Sequence, residues 1–342
     1  MGSVKEIEVI TPATLETMGD GEFVFSDRYS VFDWGEMPDL IDKKGAALAT
    51  LSAYFFEVLL NKGILGHFRG LAEEGTYKRF HELNSYSNKM RVALVRVLKP
   101  AYHKDTNTYN YDIYNNEHAN YLIPLEVIYR NKLGESASVF KRLSNGSITY
   151  KDLGLDHEPK PGEKLLKPII DVSTKLEHTD RYMKWDEAQK ISGLTADGIE
   201  KIKTLTLEIS KIITEECAKV GIENEDGKFE FGLDTKGRII LIDVLGTPDE
   251  CRFVMDGFHI SKEFARRWYR KTAWFIEVEK AKKERGSDWK TFVKSAPPPL
   301  PPEVKTLLSH LYQAVTNEIT GKKLFTVPPL KTIIEGLKRH DS

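Results

Sequence analysis

The chain has 342 residues, of which 40% are hydrophobic and 30% are charged, a balance typical of a soluble globular protein. Its 50 basic and 51 acidic residues give a formal net charge of −1, so no global basic excess points to nucleic acid. Two cysteines are too few for a disulfide framework, and no apolar run resembles a signal peptide or a bilayer-spanning helix. These features predict a soluble protein of the cytoplasm, without a membrane or nucleic-acid partner.

Hydrophobic periodicity predicts both strands and helices in the first half of the chain. Alternating or continuous apolar runs predict strands at residues 6–10, 22–25, 92–98 and 124–129. Apolar residues at helical spacing predict a helix over 44–62 that ends before Gly63. The segment 101–120 is rich in Asn, Tyr and Asp, and we expect it to form an exposed hairpin or insertion.

The second half alternates the same element types. A helix is predicted over 195–220 with Thr195 or Asp197 as its cap, strands at 228–233 and 238–244, helices at 261–284 and 304–319, and a polyproline-like linker at 296–302. This mixture predicts an α+β fold. The expected organisation is an N-terminal lobe (1–123), a larger lobe (124–295) and a proline-linked helical tail (296–342).

The hairpin after residue 227 carries the most informative chemistry. Lys228 and Glu230 lie two residues apart, so on a strand they share one face, while Phe229 and Phe231 face the core. Asp243 ends the next predicted strand, where it can lie opposite them. An amine beside two carboxylates suits magnesium-nucleotide chemistry, because hard oxygens bind the metal and a cation stabilises transferring phosphate. An ordinary amphipathic hairpin with a surface ion pair would give the same pattern.

The hairpin continues into the stretch Thr247-Pro248-Asp249-Glu250-Cys251-Arg252-Phe253. In order and spacing it resembles the SAICAR (phosphoribosylaminoimidazole-succinocarboxamide) synthetases. In that family a Lys-x-Glu-Phe-Gly strand is followed by a strand ending in Asp and then by a Pro-Asp-x-x-Arg turn.

Further blocks agree with the same family in chain order. Residues 26–33 (SDRYSVFD) resemble its Asp-Arg-x-Ser-x-x-Asp motif, and residues 43–45 (KKG) resemble its lysine-glycine step into a helix. Residues 125–136 resemble its Val-Arg-Asn…Gly-Ser segment, and residues 173–180 resemble a weaker Ser-Thr-Lys…His-Asp block. The resemblance covers roughly residues 20 to 275.

The resemblance implies a two-lobed, ATP-grasp-like architecture with antiparallel sheets and flanking helices, and with the nucleotide between the lobes. The implied reaction joins L-aspartate to a carboxylated aminoimidazole ribotide, using ATP and Mg²⁺, in purine biosynthesis. ATP would phosphorylate the ribotide carboxylate, and the aspartate amine would then displace phosphate. The small-molecule partners would be the ribotide, L-aspartate and ATP, and the residues leave open whether the chain forms a homo-oligomer.

Residue by residue, the resemblance implies four sets of site residues. The expected substrate-binding residues are Arg130, Ser136, Arg252, Ser30, Lys175 and Asp249; the ATP-binding residues are Lys43, Lys44, Arg96 and Lys228; the metal ligands are Glu230 and Asp243; and the catalytic residues are Lys228, Asp226 and Asp33. Two guanidinium groups and a hydroxyl from Arg130, Arg252 and Ser136 would suit a 5′-phosphate. Asp226 is a candidate general base.

The chain also departs from the family. The Gly-Lys-x-Arg loop that folds over nucleotide phosphates is missing, because residues 11–21 carry neither lysine nor arginine. Either Lys43 or Lys44 compensates, or nucleotide binding is altered. Val244 and Glu135 replace the family's usual acidic residue and glycine. These departures leave three alternatives: a ligase for a different amine or carboxylate, a kinase-like phosphotransferase, and a catalytically silent binding module.

Overall fold

A computed structural model describes residues 4–135 and 137–340, apart from the side chains of residues 286 and 287. The strands are β1 (Lys5–Thr11), β2 (Gly19–Phe25), β3 (Phe68–Glu73), β4 (Thr76–Lys78), β5 (Lys89–Leu94), β6 (Ala101–His103), β7 (Thr108–Asn110), β8 (Tyr121–Leu133), β9 (Glu163–Thr174), β10 (Glu223–Leu233), β11 (Ile239–Ile242), β12 (Cys251–Met255) and β13 (Phe258–His259). The helices are α1 (Lys44–Asn61), α2 (Ser138–Ser144), α3 (Trp185–Ser192), α4 (Ala196–Ala218), α5 (Glu263–Arg270), α6 (Ala273–Arg285), α7 (Pro302–Thr320) and α8 (Leu330–Lys338). In the described part of the chain, no helix has both the length and the apolar character that crossing a bilayer requires.

Two antiparallel sheets form the framework and confirm the predicted α+β class. The first has the order β1-β2-β5-β3-β4, and the second has the order β13-β12-β10-β8-β9, with β11 also paired to β10. The sheets meet at two isolated bridges, Gly66 to Leu241 and Arg96 to Tyr121. The functional groups of the second sheet therefore face the first sheet across a cleft.

The alternation predicted for β10 is confirmed. Phe229 and Phe231 are each 1% exposed and lie in the core, where α4 covers the sheet and Phe229 stacks on Tyr129 with ring centroids 5.0 Å apart. The residues between them turn to the opposite face, as the two-residue period of a strand requires. The same strand thus supplies a core on one side and a polar surface on the other.

Several element boundaries differ from the prediction. The strand expected at 92–98 ends at Leu94 and the helix expected over 261–284 is divided, while β3, β9 and α8 were not predicted. The division falls at Thr272, whose hydroxyl donates to Tyr269 O at 2.7 Å and accepts from Phe275 N at 3.3 Å. Thr272 therefore closes α5 and caps α6, a role for which threonine is well suited.

The C-terminal helices pack on the first lobe. Helix α7 lies along α1, and α8 packs on α7. Pro302 occupies the first turn of α7, where its missing N–H is no loss, and Leu300 of the proline segment is 4% exposed. This packing brings side chains of α7 beneath the cleft.

The loop after β11 depends on a close approach between a glycine and α1. Gly246 has φ +67°, and a Cβ added there would lie 2.3 Å from Cδ2 of Phe55. The neighbouring Leu245 N–H donates to Ser52 Oγ at 3.2 Å. This contact sets the position of the Pro248–Arg252 turn against α1.

Replacing Gly246 with alanine should lower the free energy of unfolding by more than the same change at Gly63. Both glycines have positive φ, which costs a residue with a Cβ about 1–2 kcal/mol, but at Gly63 an added Cβ would have no neighbour within 4 Å. Urea unfolding of the Gly246→Ala and Gly63→Ala variants gives both values. Equal losses would show that Phe55 moves away freely and does not fix the loop.

Candidate active site

Two cavities lie side by side in the cleft. The first, which we call the charged cavity, has a volume of about 340 Å³. The second, the apolar cavity, has a volume of about 690 Å³ and is lined mainly by aliphatic side chains and Phe23 from both sheets. Residues of the charged cavity used below are Asp33, Glu126, Arg130, Asp180, Asp226, Lys228, Asp249, Glu250, Arg252, Lys262 and Arg266. Charged residues of the apolar cavity used below are Lys5, Glu6, Glu8, Lys175, Glu230 and Asp243.

Strand register builds a row of three charges across the charged cavity. Asp226 on β10 is paired with Arg130 on β8 and with Arg252 on β12. Its Oδ2 accepts from Arg130 Nη1 at 3.4 Å and from Arg252 Nη1. The expected convergence of the two arginines is therefore present, and a carboxylate lies between them.

The two guanidinium groups keep unused donors. The Nε atoms of Arg130 and Arg252 are buried and have no hydrogen-bond partner among the described residues. Arg130 is only 3% exposed, and leaving donors of a buried cation unpaired is costly. Both arginines line the charged cavity, so their positive charge favours an anion bound there.

A second charge row connects the two cavities. Glu126 on β8, 4% exposed, accepts through Oε1 from Lys228 at 2.9 Å and from Lys175 at 3.0 Å. Lys175 also donates to Glu230 Oε1 at 2.6 Å, and Lys228 lies 3.5 Å from Glu250 Oε2. Burial alone would raise the pKa of Glu126, but the two ammonium groups lower it below its ordinary value. Glu126 is therefore held as a carboxylate between the cavities.

Glu230 and Asp243 form a pair of neighbouring carboxyl groups. Glu230 is opposite Ile242 in the β10–β11 ladder, which places it beside Asp243. Burial, and then the nearby Asp243 carboxylate, raise the pKa of Glu230. Repulsion between the buried Glu230 and the half-buried Asp243 is relieved by a divalent cation, and their oxygens are the donors that Mg²⁺ prefers. In the described residues no three His, Cys, Asp or Glu side chains converge, but Mg²⁺ commonly uses one or two carboxylates together with substrate phosphates. The pair therefore fits magnesium.

The backbone at Asp243 is held in an unusual conformation. Its φ is +64°, a left-handed value that non-glycine residues rarely adopt. His67 supports it, because the ring Nε2 lies 3.0 Å from the Asp243 carbonyl oxygen. Since a carbonyl only accepts, this nitrogen carries the proton, and burial lowers the pKa of His67 to about 4. His67 is thus a neutral support that aims the Asp243 side chain.

Two charged groups of the charged cavity are not engaged in a direct ion pair. Neither Lys262 nor Asp180 forms one with a described residue, in contrast to the other charged side chains around them. Burial, and then Arg266, lower the pKa of Lys262. Partial burial and the Glu126 carboxylate raise the pKa of Asp180. Opposite charges act on both groups from a greater distance, Glu250 and Asp249 on Lys262 and Lys228 and Lys175 on Asp180. An ammonium and a carboxylate free of direct ion pairs in one cavity suit a ligand that carries both signs of charge.

Lys44 has a structural position beneath the charged cavity. Its side chain is fully buried and forms an ion pair with Asp249 Oδ2 at 2.6 Å, while Tyr312 on α7 donates to Asp249 Oδ1 at 2.7 Å. Burial would raise the pKa of Asp249, but Lys44 lowers it. Lys44 and Tyr312 thus fix the position of the Asp249 carboxylate. Lys44 is not among the residues that line the apolar cavity.

Two further residues that the resemblance assigns to ATP lie outside the lining of the apolar cavity. Lys43 precedes α1 with its ammonium 5.6 Å from the Tyr86 ring, and Arg96 pairs with Glu117 and donates to Ala119 O at 3.0 Å. Neither residue lines the apolar cavity. Asp27 accepts hydrogen bonds from the backbone N–H groups of Lys43 and Gly45. It thereby fixes the start of α1, where Lys43 and Lys44 lie.

The remaining expected residues have mixed positions. Asp33 lies at the mouth of the charged cavity and pairs with Lys282 at 3.2 Å. Ser30 lines neither cavity, and Ser136 lies outside the described residues. Val244, which replaces an acidic residue of the family pattern, is 8% exposed and belongs to the core.

Sequence reasoning did not single out several site residues. Glu126 could have been found, because it is the one charged residue in the apolar run 121–129. Lys5 and Lys262 lie in stretches rich in charge, where no local pattern distinguishes a buried lysine from a solvated one.

Comparison with known proteins agrees with this geometry. The SAICAR synthetase family model matches residues 14–281. A putative phosphoribosylaminoimidazole-succinocarboxamide synthase of Archaeoglobus fulgidus is 46% identical over 338 residues, covering 99% of each chain. The synthase of Thermoplasma acidophilum is 33% identical over 308 residues, covering 88% of this chain and 93% of its own.

Solved structures share the fold. A SAICAR synthase from Saccharomyces cerevisiae complexed with SAICAR superposes with a TM-score of 0.63 at 23% identity, covering 94% of each chain. A SAICAR synthetase in complex with ADP gives 0.61 at 23% identity, covering 95% of this chain and 99% of its own. The matched segment, the two relatives and the ordered charge rows lead to one conclusion: the chain belongs to the SAICAR synthetase family.

Proposed function

We propose that the protein joins L-aspartate to carboxyaminoimidazole ribonucleotide at the expense of ATP, giving SAICAR, ADP and phosphate in purine biosynthesis. The observation that carries this assignment is the contact between Glu126, Lys175 and Lys228, which joins a cavity suited to a nucleotide and a cavity suited to an anionic substrate. A phosphoryl group passing between the two would lie beside Lys228. This arrangement supports the ligase reaction that membership of the family indicates.

The ribotide is assigned to the charged cavity. Arg130 and Arg252 line this cavity and would bring their positive charge to the 5′-phosphate, and guanidinium groups bind phosphate through paired N–H donors. Asp226 lies between the two arginines and keeps them apart and oriented. Because the Asp226 carboxylate already accepts from both arginines, we assign it a positioning role and not the role of general base suggested by the sequence.

The nucleotide is assigned to the apolar cavity, whose aliphatic walls suit a purine base. Glu230 and Asp243 would hold the magnesium ion, which would neutralise charge on the transferring phosphoryl group. Lys228 and Lys175 bring fixed positive charge to the same place. Because Glu126 already holds both ammonium groups, little reorganisation is needed when phosphate arrives.

Aspartate is assigned to the unpaired groups of the charged cavity. Lys262, next to Arg266, would bind a carboxylate of the amino acid. Asp180 would accept a proton from its ammonium group, and a raised pKa makes Asp180 a better base than an ordinary carboxylate. These two residues provide the cation and the base that the acidic amino acid requires.

The bond changes follow in two steps. A ribotide carboxylate oxygen attacks the γ-phosphorus of ATP, and the bond to the β–γ bridging oxygen breaks as ADP leaves. The aspartate nitrogen then attacks the acyl carbon, and the acyl carbon–oxygen bond breaks as inorganic phosphate leaves. The ammonium group loses two protons in becoming an amide N–H: Asp180 takes the first before the attack, and the departing phosphate takes the second as the acyl carbon–oxygen bond breaks.

Phosphate release distinguishes this function from its alternatives. With ATP, Mg²⁺ and the carboxylated ribotide, we expect release to depend on L-aspartate and the product to be SAICAR by mass. A kinase-like phosphotransferase would transfer phosphate to the ribotide without any amine. Sustained turnover without aspartate, or with another amino acid only, would overturn the assignment.

Replacing Arg252 with methionine should weaken binding of the ribotide and spare binding of ADP. One charge-assisted contact contributes about 1.5–3 kcal/mol, so the dissociation constant should rise roughly ten- to a hundredfold. Asp226 keeps its contact with Arg130, so the fold should survive. Calorimetric titration with each ligand measures this, and Arg238→Met, on the exposed β10–β11 turn, is the control. Lost ADP affinity with unchanged ribotide affinity would move Arg252 to the nucleotide site.

Replacing Lys262 with methionine should raise KM for aspartate and leave KM for ATP and for the ribotide near their original values. The expected rise is roughly tenfold or more, because a charged ligand loses one charge-assisted contact. Steady-state kinetics with each substrate varied in turn measures it, and Lys236→Met at the hairpin turn is the control. An unchanged KM for aspartate would remove Lys262 from the amino-acid subsite.

We also infer a cytoplasmic location. Cys217 and Cys251 are free and buried thiols, and burial raises the pKa of both. Unpaired thiols are typical of a reducing compartment, where the nucleotide substrate is also at hand.

A further inference from the structure

The cavity assigned to the nucleotide contains a lysine that no family motif supplies. Lys5 begins β1, lines the apolar cavity and forms an ion pair with Asp243, one of the two expected magnesium ligands. Its side chain is only 14% exposed, and its ammonium lies 5.1 Å from the ring centroid of Phe23. The largely buried ammonium group of Lys5 is therefore paired with the Asp243 carboxylate, to which a metal ion would bind.

Few other cations reach this cavity. Within the described part of the chain, its lining includes two lysines, and the second, Lys175, is already held by Glu126 and Glu230. Strand β1 otherwise contributes Glu6 and Glu8 to the lining. Lys5 is therefore the cation that β1 brings to the nucleotide phosphates in this cavity.

The loop between β1 and β2 supplies no cation to this cavity. Residues 11–21 contain neither lysine nor arginine, and their backbone is tied to Asn120. The Asn120 side chain, which is fully buried, donates to Thr14 O at 2.6 Å and to Thr17 O at 2.7 Å. Met18 of the loop packs against Leu122 and Ile242, which line the cavity, so the loop lies beside the cavity but adds no cation to it.

We propose that Lys5 holds the cation position at Asp243 while the enzyme is empty, and moves to the nucleotide phosphates when the magnesium nucleotide binds. The inference rests on the proposed function, since it takes the apolar cavity as the nucleotide site. The single negative charge of Asp243 cannot neutralise an ammonium group and a divalent ion at the same time, so the two cations compete for it. Lysine has a flexible four-carbon stem, which lets the released ammonium turn to phosphate oxygens entering beside it.

This exchange makes opposite predictions for two ligands. In the Lys5→Met variant the metal site of the empty enzyme has lost its competitor, so Mn²⁺, used as a paramagnetic probe, should bind roughly tenfold more tightly. ADP in the presence of Mg²⁺ has lost a phosphate contact, so it should bind roughly tenfold more weakly. An ion pair that only joins β1 to the second lobe would move neither affinity in this opposed way.

The measurements are electron paramagnetic resonance titration with Mn²⁺ and calorimetric titration with ADP. Lys89→Met is the matched control, because Lys89 pairs with buried Glu22 in the same sheet at 2.9 Å but does not line the cavity; both affinities should stay unchanged there. Lys5→Arg should keep ADP affinity near the original, and Lys5→Gln repeats both titrations if the methionine variant does not fold.

The Mn²⁺ and ADP affinities of the Lys5→Met variant together test the proposed exchange. Tighter Mn²⁺ and weaker ADP support the exchange, whereas unchanged or weaker Mn²⁺ binding, or unchanged ADP binding, overturns it. Failure of the unmodified protein to bind ADP at all would contradict the proposed function and not the role of Lys5 alone.

Discussion

The carboxylate of Glu126 is the constraint on which the site depends. A lone ionised carboxyl group at 4% exposure would be strongly destabilising, so its two lysine partners are obligatory. Strand register supplies them, because Glu126 lies directly opposite Glu230 on β10 and Ser173 on β9, two positions from Lys228 and Lys175. One buried charge thus fixes both ammonium groups and, through Lys175, one metal ligand. Removing the Glu126 carboxylate would leave the ammonium groups of Lys175 and Lys228 without this shared counter-charge in the centre of the cleft.

Much of the strand framework could be predicted from local patterns. The alternation of Lys228 and Glu230 with two phenylalanines identified β10, its faces and its hairpin partner, because a strand's two-residue period is local information. The convergence of Arg130 and Arg252 followed from family motifs. What those motifs could not give was Asp226 between them, since cross-strand register depends on bulges such as the one between Asn224 and Asp226.

The parts that escaped prediction are the long-range ones. Lys44 was expected at the nucleotide, but the fold buries it against Asp249, 205 residues away along the chain. No window of sequence contains both partners, so neither burial nor pairing is visible locally. The same holds for Lys5 and Asp243, which come from different sheets. Sequence patterns fix a residue's face on its own element, whereas its counter-ion is fixed by how the elements pack.

The insertion at 101–120 and the loop at 11–21 that lacks basic residues are in direct contact. The insertion at 101–120 ends in Asn120, whose side chain holds the basic-residue-free loop by two carbonyl oxygens, and Arg96 donates to Asn120 O at 3.2 Å. On its other side the insertion contacts the segment before Asp180, because Tyr111 donates to Glu177 at 3.0 Å. Because the loop carries no basic residue, a cation that meets nucleotide phosphate has to come from another segment, and Lys5 on β1 lines the apolar cavity. The insertion thus contacts both the loop beside the apolar cavity and the segment that leads to Asp180 at the charged cavity.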